Sequence, residues 1–515
     1  MTREEPQAVR DWHVAIGMGL AFFGLYLLTL CPTVYWYDSA EFTAASATLG
    51  IPHPPGYPLY TLVGRLFVLL PVEPAFAVNL MSAFFGALTV ILCNATAREV
   101  GAGRVASATG AALLGAAPLF WSQALVAEVY TPGLAFLLGA VMLALRGLRL
   151  RRVTLVALSA GVAGLGLGAH LFIATCGLGF VALVAGFGLE IRGPGDLARL
   201  FAGGQWRRRA LTAGAALGAL LLGASIFLWL PLRASMGPEL MVGDPSSWEG
   251  FKWVVTGGEY KRWFATTGTI STADLGGLVY NQLFFVGVGL AALGLVHLAL
   301  NRALVAVSLV LMAAGNLWFF HDYKVHDWQV FFLPTVVVGC LLAALGAHAL
   351  LGWLAKWLEG SGEAAAHWAP RVALVGFAVT MIALTYASVD MSQHTEAKKY
   401  GDQLCRDLPP GARILHFTTP QEWKYNAVFA DYYQKVLRRR RDVKVIDMPK
   451  ARQALRLVRA GVPVYVYHRL PRLDRVIELR REGRLWRLTR LRRRAPTRAP
   501  TRAPTRAPTR APRRL

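Results

Sequence analysis

Charge is what this chain has little of over most of its length. Charged side chains make up 16% of its 515 residues, against roughly 25% in soluble domains. They are nearly missing from a series of apolar runs, several of which reach the about 20 residues needed to cross a bilayer. This excludes an ordinary soluble protein and points to an α-helical multi-pass membrane protein. Cysteine is scarce too: Cys31, Cys93, Cys176, Cys340 and Cys405 are scattered and form no C-x-x-C pair. A disulfide framework or thiolate metal site is therefore not expected, and the first four read as small buried hydrophobes. No small-residue cleavage motif follows the first apolar run, where Cys31-Pro32 and bulky aromatics stand, so that run is expected to remain as a span. Acidic residues are sparse at one end. Residues 390–515 hold 32 Lys/Arg against 11 Asp/Glu, so the net charge of +24 belongs mainly to the tail.

What is present reads as about eleven spans: 12–31, 75–97, 105–121, 131–146, 153–169, 171–188, 210–231, 278–299, 303–320, 329–352 and 371–389. With the N-terminus in the cytoplasm, Arg98, Arg104, the Arg146–Arg152 cluster, Arg192, Arg199, Arg207 to Arg209, Arg302 and Lys356 fall inside. The outer loops keep fewer basic residues, as the positive-inside rule requires. Every polar cluster then lands on the outer side, and charges inside spans are almost absent. A transporter would more often place ionisable groups at mid-membrane. An enzyme working at the outer face would place them here.

Residues 35–60, within the first outer loop (32–74), carry the densest signal. Asp38 and Glu41 stand three apart, on one face if the segment is helical. A turn stiffened by proline follows, containing His53, Pro54, Pro55, Gly56 and Pro58. Further outer candidates are Glu128 and Tyr130, His170, Arg233 and Asp244, and the run His321-Asp322-Tyr323-Lys324-Val325-His326-Asp327. The long outer loop, 232–277, carries Trp248, Trp253, Tyr260 and Trp263, which also suit a headgroup belt. His321, Asp322, His326 and Asp327 can be drawn as a metal site, but such groups are common in exposed loops without metal, so neither metal nor cofactor is expected. Residues 390–494 read as a small soluble α/β domain with strands near 412–417, 443–448 and 463–469. The APTR repeats of 495–515 cannot bury a core and are expected to be a disordered basic tail. That tail can hold anionic lipid by charge; apart from charge, nothing favours nucleic acid.

DSAEF (38–42) with TLGIPHPPGYPLYTLVGRLF (48–67) resembles the first outer loop of a GT-C-type membrane glycosyltransferase family. That family includes the transmembrane protein O-mannosyltransferases of animals and many bacterial relatives. The resemblance continues through AEVYTP (127–132), GLGLGAHL (164–171), LPLRASMGP and VGDP (230–245) and HDYKVHDWQVFFLP (321–334), with Ala40 and Ala169 departing from the common pattern. It implies a GT-C fold over 1–389, an active site on the extracytoplasmic face of the plasma (bacterial inner) membrane, and a polyprenyl-phosphate sugar donor. Mannose is the family's best-known sugar. The acceptor would be a hydroxyl on protein, lipid or glycan.

Such a transfer needs a base for the acceptor hydroxyl and positive groups for the leaving phosphate. The resemblance makes Asp38 the base, with Glu41 orienting a substrate or raising the base's pKa through its like charge. Arg233 suits the phosphate because guanidinium forks onto phosphate oxygens; His53, His170 and Lys324 are further candidates. Glu128 and Asp327 would serve sugar hydroxyls. The rival readings are a ligase or polymerase moving whole lipid-linked glycans, a multi-pass transporter or flippase, and a scaffold whose membrane part only anchors it.

Overall fold

The computed structural model describes residues 5–187, 194–200, 206–261, 264, 266–357, 363–417, 420–447 and 451–491. Among the described residues, eight helical stretches are long and apolar enough to span a membrane: Trp12–Thr29, Pro74–Val100, Tyr130–Leu150, Arg209–Ser235, Thr272–Asn301, Ala303–Phe320, Trp328–Trp357 and Trp368–Val389. Three expected spans fall short of that length. The 105–121 run breaks into Arg104–Ala116 and Pro118–Gln123, because Pro118 lacks the amide that would continue the first helix. The 153–169 run is helical over Val153–Leu167 and ends at Gly168. The 171–188 run gives Phe172–Thr175 and Gly177–Ala185. The 495–515 tail, Trp263 and part of the loop around it lie outside the described residues.

Contacts divide the chain into two compact units. The first holds residues 1–402 with 426–439, and the second holds 403–425 with 440–515. In the first, lipid-soluble helices gain little from hiding apolar surface from one another, so close packing of small residues decides their contacts. Helix Thr272–Asn301 meets Leu333–Trp357 at Gly294, where a Cβ would lie 1.8 Å from the Leu342 carbonyl oxygen. Buried aromatics fill the wider gaps: Tyr26, inside the first helix, α1 (Glu5–Thr29), donates to the Gly115 carbonyl and stands edge-on to Trp121.

The loop after α1 folds into two short helices, α2 (Asp38–Thr48) and α3 (Pro58–Val68). Pro58 opens α3, where its missing N–H costs nothing. The two helices pack closely at Gly64, where a Cβ would strike the Ser46 hydroxyl at 2.2 Å. This loop is the node for three others. Ile51 exchanges backbone hydrogen bonds with Leu240 and Val242, Leu59 donates to the Gly168 carbonyl, and the Ser39 hydroxyl accepts the Ala127 amide.

The far face of α2 is covered by a π-helix, Ala427–Val436, which belongs to the first unit although flanking segments belong to the second. Val436 packs against Ala44, Ala45 and Leu240, and the buried Tyr432 donates to Glu73. Arg438 pairs with Glu239 nearby.

The second unit holds a five-stranded sheet in the order β2-β1-β3-β5-β4. β1 (Arg413–His416), β2 (Lys444–Asp447) and β3 (Val464–Val466) are parallel and occupy the three expected strand segments. β4 (Ile477–Glu482) and β5 (Leu485–Leu491) form an antiparallel hairpin turning at Gly483, with φ 58°. Arginine crowds this segment and masks its alternation, yet Ile477, Leu479, Leu485 and Leu488 point into the core.

Candidate active site

Helix α2 carries the centre of the site. Asp38 and Glu41 occupy its first turn, where the helix dipole favours negative charge. Its last carbonyls are served by two arginines: Arg65 donates to Ala47, and Arg233 donates to Leu49 at 2.6 Å and Thr48 at 3.2 Å. Tyr37, just before Asp38, has φ 57° and ψ −135°, a conformation that costs a side-chain-bearing residue of order 1–3 kcal/mol. Strain of that kind gathers at functional sites. Phe42, fully buried, floors the site with His53, Tyr57 and Tyr60 around it at ring distances of 5.0–5.2 Å.

The stiff turn brings His53 back over the helix. Glu41 accepts the His53 backbone amide at 2.7 Å through one oxygen and meets the ring Nδ1 at 2.8 Å through the other. The His53 Nε2 lies 4.0 Å from an Asp38 oxygen. Burial pulls the His53 pKa down, but Glu41 and Asp38 outweigh it and bring it up to about 10. The ring is then an imidazolium held between two carboxylates. Burial drives the Asp38 pKa up to about 7; His53 opposes this, while Glu41, Asp327 and Glu259 add to it. The side chain of Asp38 stays 26% exposed, whereas that of Glu41 is 3% exposed. Its Oδ1 has no hydrogen-bond partner among the described residues. Donor atoms of Asp38, Glu41 and His53 lie within 4.8 Å of one another, a set that can also hold a cation in place of the imidazole proton.

Seven sequence candidates converge. Besides Asp38, Glu41 and His53, the charges of Glu128 and Asp327 reach Asp38 and each other. Burial, then Asp38 and Asp327, push the Glu128 pKa well above the usual carboxylate range. His170 stacks between Phe172 at 4.3 Å and Tyr130 at 5.1 Å, and Tyr57 links it to His53. Burial, then the charge of His53, lowers its pKa to about 3. Its Nδ1 accepts the Phe172 amide at 3.0 Å, which puts the proton on Nε2. His170 is therefore a neutral donor and not the cation expected for a phosphate.

Three candidates are engaged elsewhere. Arg233 sits at the opposite end of α2 from Asp38, holding carbonyls, because α2 ends in a left-handed residue, Leu49, that leaves them exposed. Asp244 is exposed and accepts the Ser246 amide in a turn before the helix Trp248–Val255. Lys324 pairs with Asp274 at 2.6 Å. The sequence reading overlooked Glu259 and the roles of Tyr57, Tyr260 and Tyr323. The one available signal was Tyr260 beside Glu259 in a loop already rich in aromatics; Tyr260 lies 6.1 Å from His53.

Arg233→Ala is expected to loosen α2 by about 1.5–3 kcal/mol, the worth of hydrogen bonds made by a charged group; thermal melting of the purified protein checks this, and an unchanged melting temperature would show that the arginine holds nothing there.

This multi-span helical fold, with acid-bearing loops gathered on its first loop, is shared with a solved protein. The chain superposes on ArnT from Cupriavidus metallidurans in the apo state with TM-score 0.58 at 12% identity, covering 93% of this chain and 98% of that one. On the same protein bound to undecaprenyl phosphate the TM-score is 0.57 at 14% identity, covering 92% and 97%. More particularly, residues 38–187 match the family described as Protein O-mannosyl-transferase TMEM260 N-terminal domain. Protein O-mannosyl-transferase TMEM260 of Mus musculus is 33% identical over 109 residues, 21% of this chain and 16% of that protein. The Dictyostelium discoideum protein is 27% identical over 111 residues, 21% and 14% of the two chains. The matched region thus spans about a sixth of these relatives.

Proposed function

We propose that this protein transfers a sugar, mannose in the first instance, from a polyprenyl-phosphate carrier to an acceptor hydroxyl at the extracytoplasmic face of the membrane. The observation that carries the reading is Asp38: a partly open carboxylate with a free Oδ1, backed by a buried Glu41–His53 pair. The O-mannosyltransferase match over 38–187 and the undecaprenyl phosphate bound to a protein of the same fold support it.

Asp38 takes the proton from the acceptor hydroxyl as its oxygen attacks the anomeric carbon. The bond from that carbon to the phosphate oxygen breaks, and the phosphate leaves with the electron pair. His53 supplies positive charge toward that phosphate, since its imidazolium is fixed before the reaction and needs no reorganisation. The His170 Nε2–H donates to sugar or phosphate oxygens, and Glu128 meets a sugar hydroxyl. The placement of the loops outside rests on the Lys/Arg imbalance of the sequence.

Purified protein in lipid, given a panel of polyprenyl-phosphate sugars and hydroxyl acceptors, is expected to release free lipid phosphate from the mannose carrier. Release from none of them would end this reading. Release only from carriers of whole glycans would replace it with the ligase or polymerase alternative.

A further inference from the structure

The parallel strands of the second unit end together. β1 closes at His416, β2 at Asp447 and β3 at Val466; the register sets His416 beside Asp447, and the ring of Tyr467, just past β3, lies near it. From β1 the chain continues to β2 on one side. From β3 it continues to the β4–β5 hairpin on the other. Onward connections that part in this way leave a crevice outside the carboxyl ends of β1 and β3, the place where open α/β sheets bind ligands.

Chemistry is concentrated at that crevice. His416 is 3% exposed, and its Nδ1 lies 2.7 Å from Asp447 Oδ1, so that nitrogen carries the proton. Its Nε2 is buried and has no hydrogen-bond partner among the described residues. A buried polar atom left unmet costs about 1–3 kcal/mol, which a ligand hydroxyl donating to it would recover. Glu422, fully buried, accepts the Phe417 amide at 2.7 Å and lies 3.2 Å from His468 Nδ1. Tyr467 stacks with Tyr425 at 6.0 Å and meets the His416 ring edge-on at 6.1 Å.

The donor set narrows the ligand. No glycine occurs between β1 and Glu422, in the sequence FTTPQE (417–422), so the glycine pattern of nucleotide-binding turns does not occur there. Two carboxylates, Asp447 and Glu422, would repel an anion. An imidazole acceptor beside the half-buried Tyr425 ring suits a neutral polyol, whose hydroxyls donate while its C–H face lies on a ring. We infer that the crevice between β1 and β3 of the second unit is a saccharide-binding site, with His416 accepting a sugar hydroxyl and Tyr425 offering the stacking surface. This inference rests on the sheet alone and stands or falls apart from the reading of Asp38.

The test uses the full chain in lipid nanodiscs and saturation-transfer NMR with methyl α-mannopyranoside and methyl β-glucopyranoside as probes, and inorganic phosphate as competitor. At least one glycoside is expected to bind saturably in the millimolar range, equally in the unaltered protein and in Asp38→Asn. Both His416→Ala and Tyr425→Ala should weaken that binding at least fivefold, with phosphate not competing. If His416→Ala fails to fold, Tyr425→Ala, at a half-buried position, decides alone. No saturable glycoside binding, unchanged affinity in the folded variants, or loss of binding in Asp38→Asn would each overturn the site. Displacement by phosphate would overturn the saccharide assignment.

Discussion

Asp38→Asn is expected to abolish sugar transfer, by roughly a hundred- to ten-thousandfold, the contribution of a positioned general base. The substitution keeps the size and one oxygen of the side chain but cannot take a proton. Glu41 and His53 would still hold each other, so the folded structure should survive. The unaltered enzyme offers a second signature. Burial places the Asp38 pKa at about 7, and only the carboxylate form can accept the hydroxyl proton. Transfer should therefore rise with pH through that value. It should fall again near pH 10, where the Glu41- and Asp38-stabilised charge of His53 is lost. In Asp38→Asn the rising limb should vanish along with the rate. Assays of lipid-phosphate release across pH check both, and undiminished turnover in the variant would remove Asp38 from the chemistry.

Glu41→Ala should cost stability as well as activity. Its two oxygens meet the His53 amide and ring at 2.7 and 2.8 Å, and both partners are buried. Removing one member of a buried charged pair costs roughly 3–5 kcal/mol, because the other is left without its counter-charge. The returning turn at Pro54 to Gly56 would lose its anchor on α2, and the loops tied to Ile51 and Leu59 would loosen with it. A fall in apparent melting temperature together with loss of transfer is expected. Glu41→Gln, which can still accept one of the two bonds, should lie between. A Glu41→Ala protein with the original melting temperature and rate would show that the pair anchors nothing.

Of the fold, the apolar runs and the three parallel strands were legible because bilayer length and buried-strand composition are local properties. The span count was less so. Hydropathy cannot register that Pro118 interrupts a helix, or that Gly168 and His170 turn the chain to meet α3. Of the site, the acidic pair and the proline-stiffened turn were visible as a motif. The contribution of Glu259 was not, since its aromatic-rich loop suits a headgroup belt equally well and lies far in sequence from residues 38–53.

The sequence by itself determined that the chain spans a membrane, that its polar residues avoid the apolar runs, and that Asp38 and Glu41 share one short stretch with the proline-stiffened turn that carries His53. These follow from composition and short spacing, which no later folding step can change. Only the tertiary structure decided which other charged groups join them. Glu128 and Asp327 reach Asp38, whereas Arg233 is drawn to the carbonyls at the far end of α2 and Lys324 to Asp274. The reason is physical: a long cationic side chain goes to the nearest unmet acceptor, and which acceptor that is depends on helices distant in sequence.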